Sequence, residues 1–332
     1  MQETLSEKIA TLIEQSRLYV AQIANTAMVQ TYYKIGEMLV EELQNGATRA
    51  EYGVQLLQKV GRQLTKQFGK GFSETNLKQM RDFYTAYSIR QTLSDEWQWS
   101  SVLSWSHYLL LMRIQNPAER QFYELEAHQN QWSVRTLQRQ FNSGLYERLL
   151  LSRDKSAVQS LAQVGQVIQK PHDLLKEPLV LEFLGLEDKN QYSESELETA
   201  IINQLEKFML ELGKGFLFGG RQVRFTFDED HFKVDLVFYN RFLQCFVLID
   251  LKIGKLTHQD LGQMQMYVNY YDRYVKLEHE NPTVGIIICK DKNQSLVEIT
   301  LPKDNQQIFA QKYQTVLPSK EVLKALLEKY NE

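Results

Sequence analysis

The pattern of hydrophobic residues changes about halfway along the chain. Before residue 170, apolar side chains such as Leu5, Ile9 and Leu12 recur at the spacing of an amphipathic helix. After Pro171, short runs of β-branched and aromatic residues alternate with helical stretches. We therefore predict a multi-domain chain, with a helical domain at residues 1–170 and an α/β domain with a mixed sheet at residues 171–332.

Composition and charge exclude several classes of protein. Two cysteines in 332 residues exclude a disulfide framework and a Cys-rich zinc module. No apolar run approaches the ~20 residues that span a bilayer, and the N-terminus, MQETLSEKIA, lacks the pattern of a signal peptide. Residues 1–170 carry 19 basic and 16 acidic side chains, and residues 171–332 carry 19 and 25. We expect a cytoplasmic protein with no membrane partner. The small excess of basic residues in its first half is compatible with binding to a nucleic acid.

The stretch from Val54 to Tyr87 has the outline of a helix-turn-helix, a common DNA-binding motif. A predicted helix ends at Phe68, glycines follow, and Ser73 is placed to cap a second helix. The candidate phosphate contacts near this turn are Lys66, Lys70, Lys78 and Arg81. An ordinary pair of packed helices has the same outline, so the motif alone does not decide between DNA binding and packing.

The second half of the chain has the element order helix, three strands, helix, strand, strand. The predicted helices cover Ser195–Leu212 and Leu256–Val275. The predicted strands cover Val223–Phe227, Phe232–Tyr239, Phe242–Ile253, Thr283–Cys289 and Leu296–Leu301.

Charged residues interrupt two of these apolar strands. Because side chains alternate across a sheet, Asp250 and Lys252 project from the same face of one strand. Asp235 interrupts the preceding strand, and a hairpin between the two strands brings it near Asp250. Two carboxylates that lie this close repel each other unless a cation sits between them, and Mg²⁺ meets that demand.

The helix before the strands offers a third carboxylate. Winding Ser195–Leu212 as one continuous helix places Glu198 inside the apolar stripe, and places Glu206 and Glu211 off it. An acid on an apolar face needs an explanation, so Glu198 is the functional candidate, with Glu211 as the alternative. Glu198 also lies near the helix start, where an acid simply favours the helix dipole.

The helix after the strands begins with Thr257 and Asp260, which form a pattern similar to a capping box. Gln263 and Tyr267 are spaced i, i+4 and therefore share one face near its N-terminal end. The run of tyrosines at Tyr267, Tyr270, Tyr271 and Tyr274 is interpreted as core and interface rather than as a base-stacking surface.

These residues together resemble the PD-(D/E)XK nuclease superfamily. The pattern is Asp235 followed by Asp250-Leu251-Lys252 on strands, and the pair Gln263 and Tyr267 is similar to the Gln-x-x-x-Tyr element of RecB-like members. The resemblance is closest to the YhcG-type nucleases and covers nearly the whole chain. It rests on the stretches FMLELGKGFLFGGRQ, VDLVFYN, LIDLKIGKLTHQDLGQMQMYV, VGIIICKDKN, GKGFSETNLKQMRDFY, LSWSHYLLL and WSVRTLQRQ.

The resemblance implies a restriction-endonuclease-like sheet flanked by helices, and hydrolysis of phosphodiester bonds in DNA. By analogy, Asp235, Asp250 and the backbone carbonyl of Leu251 would bind Mg²⁺ or Mn²⁺, with help from Glu198. Lys252 would orient or help deprotonate a water, and Gln263 would position water or phosphate. The remaining candidate contacts to nucleic acid are Lys255 and Tyr267. Two positions depart from the family pattern, because Val234 replaces the usual proline and Asp250 stands where Glu is commoner.

Two alternatives stay open at this point. In the first alternative, the chain is a DNA-binding or assembly protein that has a nuclease-like fold but no catalytic activity. In the second, the helical half is a protein-interaction module, and the tryptophans at Trp97, Trp99, Trp105 and Trp132 serve a partner or the core. The sequence leaves open whether the chain forms a homo-oligomer.

Overall fold

The computed structural model describes residues 4–45, 50–91, 103–152, 161–186 and 192–331, so Trp97 and Trp99 lie outside the described residues. The chain divides into two compact units, Met1–Gln138 and Arg139–Glu332. This division falls earlier than the boundary at residue 170 that we expected from the sequence. Across the described ranges, no helix is long and apolar enough to cross a membrane.

The first unit is helical. Its helices are α1 (Leu5–Asn45), α2 (Ala50–Phe68), α3 (Glu74–Gln91), α4 (Trp105–Leu111), α5 (Pro117–Gln129) and the start of α6 (Val134–Asn142). Two of the predicted helix boundaries are confirmed. α2 ends at Phe68 before a 3₁₀ turn at Lys70–Phe72, and the hydroxyl of Ser73 accepts a hydrogen bond from the amide of Asn76 at 3.4 Å.

The core of the first unit forms where α1, α2 and α3 meet. A side chain at Gly36 of α1 would place its Cβ 2.1 Å from the carbonyl oxygen of Met80 on α3, so the close approach of these helices requires glycine. Leu39, Leu57 and Leu77 fill the space beside this contact. Aromatic rings extend the core, and Trp105 and Tyr108 both lie 5.2 Å from the ring of Phe83, measured between centroids.

The second unit contains a six-stranded mixed sheet. Its strands are β1 (Leu179–Val180), β2 (Phe216–Phe227), β3 (Asp230–Asn240), β4 (Cys245–Lys255), β5 (Val284–Asp291) and β6 (Ile308–Gln314), in the spatial order β1-β6-β5-β4-β3-β2. The strands β2, β3 and β4 pair antiparallel, whereas β4, β5, β6 and β1 pair parallel. The predicted α plus mixed-sheet architecture is confirmed.

Helices cover both faces of this sheet. The helices of this unit are α7 (Leu145–Leu151), α8 (Glu194–Asn203), α9 (Leu205–Leu212), α10 (His258–Tyr274), α11 (Gln294–Thr300) and α12 (Lys320–Asn331). One core layer joins α8 and α9 to the sheet, and a second layer joins α10 to the opposite face. At Gly285 of β5, a Cβ would lie 2.6 Å from the side chain of Met264, so α10 packs directly on the strand.

The end of the chain differs from the sequence prediction. Leu296–Leu301 was expected to be a strand, which is wrong, because α11 covers most of it. Asn293 explains the difference, since its side chain caps the helix by accepting a hydrogen bond from the amide of Leu296 at 3.2 Å. The last strand of the sheet is β6 instead, and its polar residue Gln311 is buried. The predicted helix over Ser195–Leu212 is also interrupted, at Gln204.

Candidate active site

The strands β3 and β4 bring Asp235, Asp250 and Lys252 together at the point where these two strands stop pairing with each other. The register pairs Leu236 with Ile249, which places the three charged residues just beyond the last paired positions. Asp235 Oδ2 accepts a hydrogen bond from the amide of Leu251 at 2.8 Å. Lys252 Nζ lies 2.9 Å from Asp250 Oδ2. The proximity predicted from side-chain alternation is therefore present in the fold.

Asp250 is the most strongly perturbed residue of this group. Burial and the nearby charge of Asp235 raise the pKa of Asp250 to about 7, although Lys252 opposes the shift. Among the described residues, Asp250 Oδ2 has no hydrogen bond of normal geometry, even though the ammonium of Lys252 is within ion-pair distance. The ion pair with Lys252 does not offset burial and the charge of Asp235, so the Asp250 carboxylate remains incompletely compensated.

Lys252 is surrounded by acids. Its ammonium lies 3.8 Å from Glu194 Oε2 and 3.9 Å from Asp260 Oδ1, in addition to Asp250. Burial opposes the charged form, but the three acids outweigh it and raise the pKa of Lys252. Lys252 therefore keeps its proton at neutral pH. Glu194, the first residue of α8, was not predicted as part of the site, because no local sequence pattern places it near β4.

Glu198 reaches the site from α8 through two residues of β2. Arg221 Nε donates to Glu198 Oε1 at 2.8 Å, and the Gln222 amide donates to Glu198 Oε2. The same Gln222 nitrogen donates to Asp235 Oδ1 at 3.0 Å, so one amide joins the two carboxylates. Gln222 has a φ of 48°, which residues other than glycine seldom adopt, so the surrounding contacts must hold this conformation. Neither Arg221 nor Gln222 was predicted from the sequence as part of the site.

Glu211 belongs to a different cluster. It is 0% exposed, and its carboxylate pairs with Arg148 Nη1 at 2.5 Å and Arg139 Nη1 at 3.0 Å. It also accepts a hydrogen bond from the amide of Val180 at 3.0 Å. Burial raises the pKa of Glu211, but Arg148, Lys176 and Arg139 outweigh burial and hold it at about 2. This carboxylate is fully used in the structure, which leaves Glu198 as the helix carboxylate near Asp235.

The first turns of α10 border the site. The side chain of Thr257 accepts a hydrogen bond from the amide of Asp260 at 3.3 Å, and Asp260 caps the amide of Thr257 in return at 2.8 Å. Farther along the helix, the Gln263 amide donates to the Tyr267 hydroxyl. Tyr267 is 1% exposed, which does not fit the contact with nucleic acid expected for it, because a base cannot reach an enclosed ring. In this position Tyr267 orients Gln263.

The number and type of side chains at the site determine whether it suits a divalent cation. Within the described ranges, no three His, Cys, Asp or Glu side chains converge tightly enough to hold a metal by themselves. Two carboxylates do converge, and Mg²⁺ is commonly held by one or two carboxylates and several waters. The pKa of Asp250 is raised although Lys252 Nζ lies 2.9 Å from its Oδ2, so a cation beside the two carboxylates would stabilise their charged forms. The residues therefore fit the ion that the resemblance implies.

The predicted nucleic-acid contacts outside this site have different surroundings. In the first unit, Lys78 pairs with Glu74 at 2.7 Å and Arg81 pairs with Asp82 at 2.8 Å. Lys66 and Lys70, at the end of α2 and in the 3₁₀ turn, are exposed. In the second unit, Lys255 is exposed at the end of β4. Lys66, Lys70 and Lys255 are therefore the more accessible of the predicted cations.

Models of two protein families match the two halves of the chain. The family model of the YhcG PDDEXK nuclease domain matches residues 172–328, and that of the DUF1016 N-terminal domain matches residues 8–148. A relative named "Putative nuclease YhcG", from Escherichia coli (strain K12), is 38% identical over 347 residues. This similarity covers 97% of the chain and 92% of the relative.

Similarity to solved structures is low. The "crystal structure of a repair endonuclease from Pyrococcus abyssi" is 19% identical and has a TM-score of 0.26, covering 38% of this chain and 50% of that one. The "Structure of EndoMS in apo form" is 17% identical with a TM-score of 0.26, covering 40% of this chain and 49% of that one. Similarity at this level carries no argument about function.

Proposed function

This chain belongs to the YhcG family of PD-(D/E)XK nucleases, and from that premise we propose that it hydrolyses phosphodiester bonds in DNA with a bound Mg²⁺ or Mn²⁺. The observation that carries the proposal is the state of Asp250. Its carboxylate is buried beside Asp235, and its pKa is raised to about 7 even though Lys252 Nζ lies 2.9 Å from Oδ2. An arrangement that costs stability in the metal-free protein is expected where the missing charge arrives with a ligand.

Asp235, Asp250 and the backbone carbonyl of Leu251 would hold the cation, and Glu198 would contribute through water or through Gln222. When bound, the cation supplies a Lewis acid that polarises the phosphate and lowers the pKa of a water molecule. The Gln222 amide keeps the carboxylates of Glu198 and Asp235 oriented toward each other. This pre-orientation reduces the reorganisation that metal binding would otherwise require.

Lys252 stabilises negative charge in this proposal. Its raised pKa keeps the ammonium protonated at neutral pH, so a role as the base that removes a proton from water is disfavoured. A protonated lysine beside the scissile phosphate offsets the charge that develops in the pentavalent state. Gln263, held by Tyr267, would orient the attacking water or a phosphate oxygen by hydrogen bonding.

The helical half is proposed to contribute affinity for DNA. Lys66 and Lys70 are exposed beside the turn between α2 and α3, where ammonium groups can contact phosphates. Lys78 and Arg81 are paired with acids on their own helix and should contribute less. The sheet-containing half has a net charge of −6 from residue 171 onward, so it cannot attract DNA by net charge alone.

The proposal is tested by incubating the full chain with plasmid and single-stranded DNA, with Mg²⁺, with Mn²⁺ and with a chelator. Wild-type protein should cleave in the presence of metal and not with chelator. Lys252→Ala and Asp250→Asn should each lower the cleavage rate by about 10²-fold or more, because each removes a charge at the reacting phosphate or at the metal.

A matched control removes an exposed lysine elsewhere in the same unit. Lys207 is exposed on α9, and Lys207→Ala should cleave at the wild-type rate. Circular dichroism should show that all three variants remain folded. Wild-type rates in Lys252→Ala and Asp250→Asn would reject the site. DNA binding without cleavage by the wild-type protein would favour the non-catalytic alternative.

A further inference from the structure

A recess opens between β2 and α10, and four of its nine lining residues are aromatic. Its volume is about 350 Å³, and its aromatic lining comes from Phe225, Phe227, Tyr270 and Tyr274. This volume is near the lower end of small-molecule sites, which suits one or two planar rings better than a helix of a partner protein. We call it the aromatic recess.

The rings of the aromatic recess are stacked and partly exposed. Phe225 and Tyr270 stack at a centroid distance of 4.0 Å with an angle of 20° between their planes, and Tyr274 lies 5.3 Å from Tyr270. Phe227 is 53% exposed and Tyr274 is 64% exposed. The tyrosine run was expected from the sequence to form core and interface. Burial confirms this for Tyr267 and Tyr271, whereas Tyr274 presents its ring to solvent.

Hydrogen-bonding groups border these rings. Gln265 and Asn269 lie along the recess and carry amides that both donate and accept hydrogen bonds. Arg273 also lines the recess, is exposed, and forms no ion pair with any residue that the structure describes. A free guanidinium beside exposed aromatic faces offers both a phosphate contact and a stacking plane.

The aromatic recess is connected to the candidate active site through side-chain contacts. The Gln263 amide donates to the Tyr267 hydroxyl, and the Tyr267 ring lies 5.6 Å from the ring of Phe225 at the floor of the recess. Along α10, Gln263 and Tyr270 are seven residues apart, which is about 10 Å at 1.5 Å per residue. Stacked nucleotides rise about 3.4 Å each, so this distance spans about three nucleotides.

We propose that the aromatic recess binds an unpaired base of single-stranded DNA whose backbone continues into the candidate active site. Aromatic faces bind bases of any sequence, and the amides and guanidinium match the polar edge of a base and the adjoining phosphate. A base in a duplex stays stacked between its neighbours and cannot enter. The inference rests on the proposed function and narrows the substrate to DNA that contains an unpaired segment close to the cleaved bond.

The test measures binding in the presence of a chelator, so that cleavage plays no part. Full-length protein is titrated into a 12-nucleotide single strand that carries 2-aminopurine, whose fluorescence falls when the base stacks on an aromatic ring. Phe227→Ala combined with Tyr274→Ala should weaken binding about tenfold or more and abolish the quenching. Binding to a blunt duplex of the same sequence should not change.

Two further variants serve as controls. Leu277→Ala removes another exposed apolar side chain just after α10 and should bind as the wild type does. Tyr274→Phe keeps the ring and should retain quenching. Equal affinity and quenching in the double variant would overturn the inference, as would an equal loss on duplex and single strand. If the wild-type protein cleaves DNA but the double variant binds and quenches as the wild type does, the proposed function stands and the base-binding role of the recess is rejected. If the wild-type protein quenches 2-aminopurine and the double variant does not, but no DNA is cleaved, the base-binding role stands and the proposed function is rejected.

Discussion

Replacing Glu211 by Gln should destabilise the sheet-containing unit without disturbing the candidate active site. The substitution removes the charge that pairs with Arg148, whose side chain is completely buried, and with Arg139. Removing one partner of a buried ion pair leaves the other charge uncompensated, which costs about 3–5 kcal/mol. The pKa of Glu211, about 2 against an ordinary 4.5, gives an independent figure of about 3 kcal/mol at 1.36 kcal/mol per unit.

The sign of the pH dependence follows from the direction of this shift. Because the folded-state pKa is lowered, the carboxylate stabilises the fold fully above about pH 4.5 and loses that contribution as pH falls toward 2. About 2 kcal/mol of the contribution should be lost by pH 3. The wild-type protein should therefore lose stability over this range, and Glu211→Gln should lose less because it has no carboxylate to protonate.

Differential scanning calorimetry at pH 7 and pH 3 measures both effects. For a unit of 150–250 residues, each kcal/mol changes Tm by about 2–4 °C, so Glu211→Gln should unfold about 10 °C below the wild type at pH 7. Glu206→Gln, an exposed acid on the same helix, is the matched control and should change Tm little. Calorimetric binding of Mn²⁺ should be unchanged in Glu211→Gln and altered in Glu198→Gln. If Glu211→Gln and the control unfold at the same Tm, the Glu211 carboxylate does not stabilise the unit. Lost Mn²⁺ binding in a folded Glu211→Gln protein would assign the metal site to Glu211.

Two other predictions concern metal and DNA. Because the pKa of Asp250 is raised to about 7, protons compete with Mg²⁺ for its carboxylate below that pH. Calorimetry should show that the affinity for Mg²⁺ falls by up to about tenfold per pH unit between pH 7 and pH 5. An affinity that does not change with pH would contradict the assignment of Asp250 as a metal ligand. Changing Lys66 and Lys70 to Ala should flatten the log–log dependence of DNA affinity on salt by about 0.9 per lost phosphate contact, and changing Lys78 and Arg81 should have a smaller effect; equal slopes in both double variants and the wild type would remove the helical half from DNA binding.

Local patterns predicted most elements of the second unit because hydrophobic periodicity survives in strands with one or two buried faces. β3, β4 and β5 lie within a few residues of the predicted ranges. The prediction failed at Leu296–Leu301, where a short apolar run is compatible with helix and strand alike, and a single Asn293 cap decides for a helix. It also missed β6, because Gln311 interrupts the apolar pattern and is buried through a hydrogen bond to a carbonyl 135 residues away in sequence.

The interrupted helix shows the limit of a helical wheel. Winding Ser195–Leu212 as one helix placed Glu211 on the polar face, yet Glu211 is completely buried. The buried side chains Leu197, Ile201, Phe208 and Leu212 still fall on one stripe of a continuous winding, so the break at Gln204 does not change which face meets the sheet. Glu211 is buried on another side of α9, where Arg139 and Arg148 pair with its carboxylate. A helical wheel shows which residues share a face, as it did correctly for Glu198, but it does not show that other residues cover a second face.

The order of helices and strands and the charged residues of the site follow from local sequence patterns. Asp235, Asp250 and Lys252 could be recognised because a charge within an apolar strand is costly unless it is used, and because alternation along a strand is a local property. The groups that surround these residues, including Glu194 and Gln222, could be found only from the tertiary structure. Glu194 begins α8 and Gln222 lies on the edge strand β2, and both come near the site because α8 and β2 pack beside β3 and β4. Packing between elements that are far apart in sequence leaves no signal in local residue spacing.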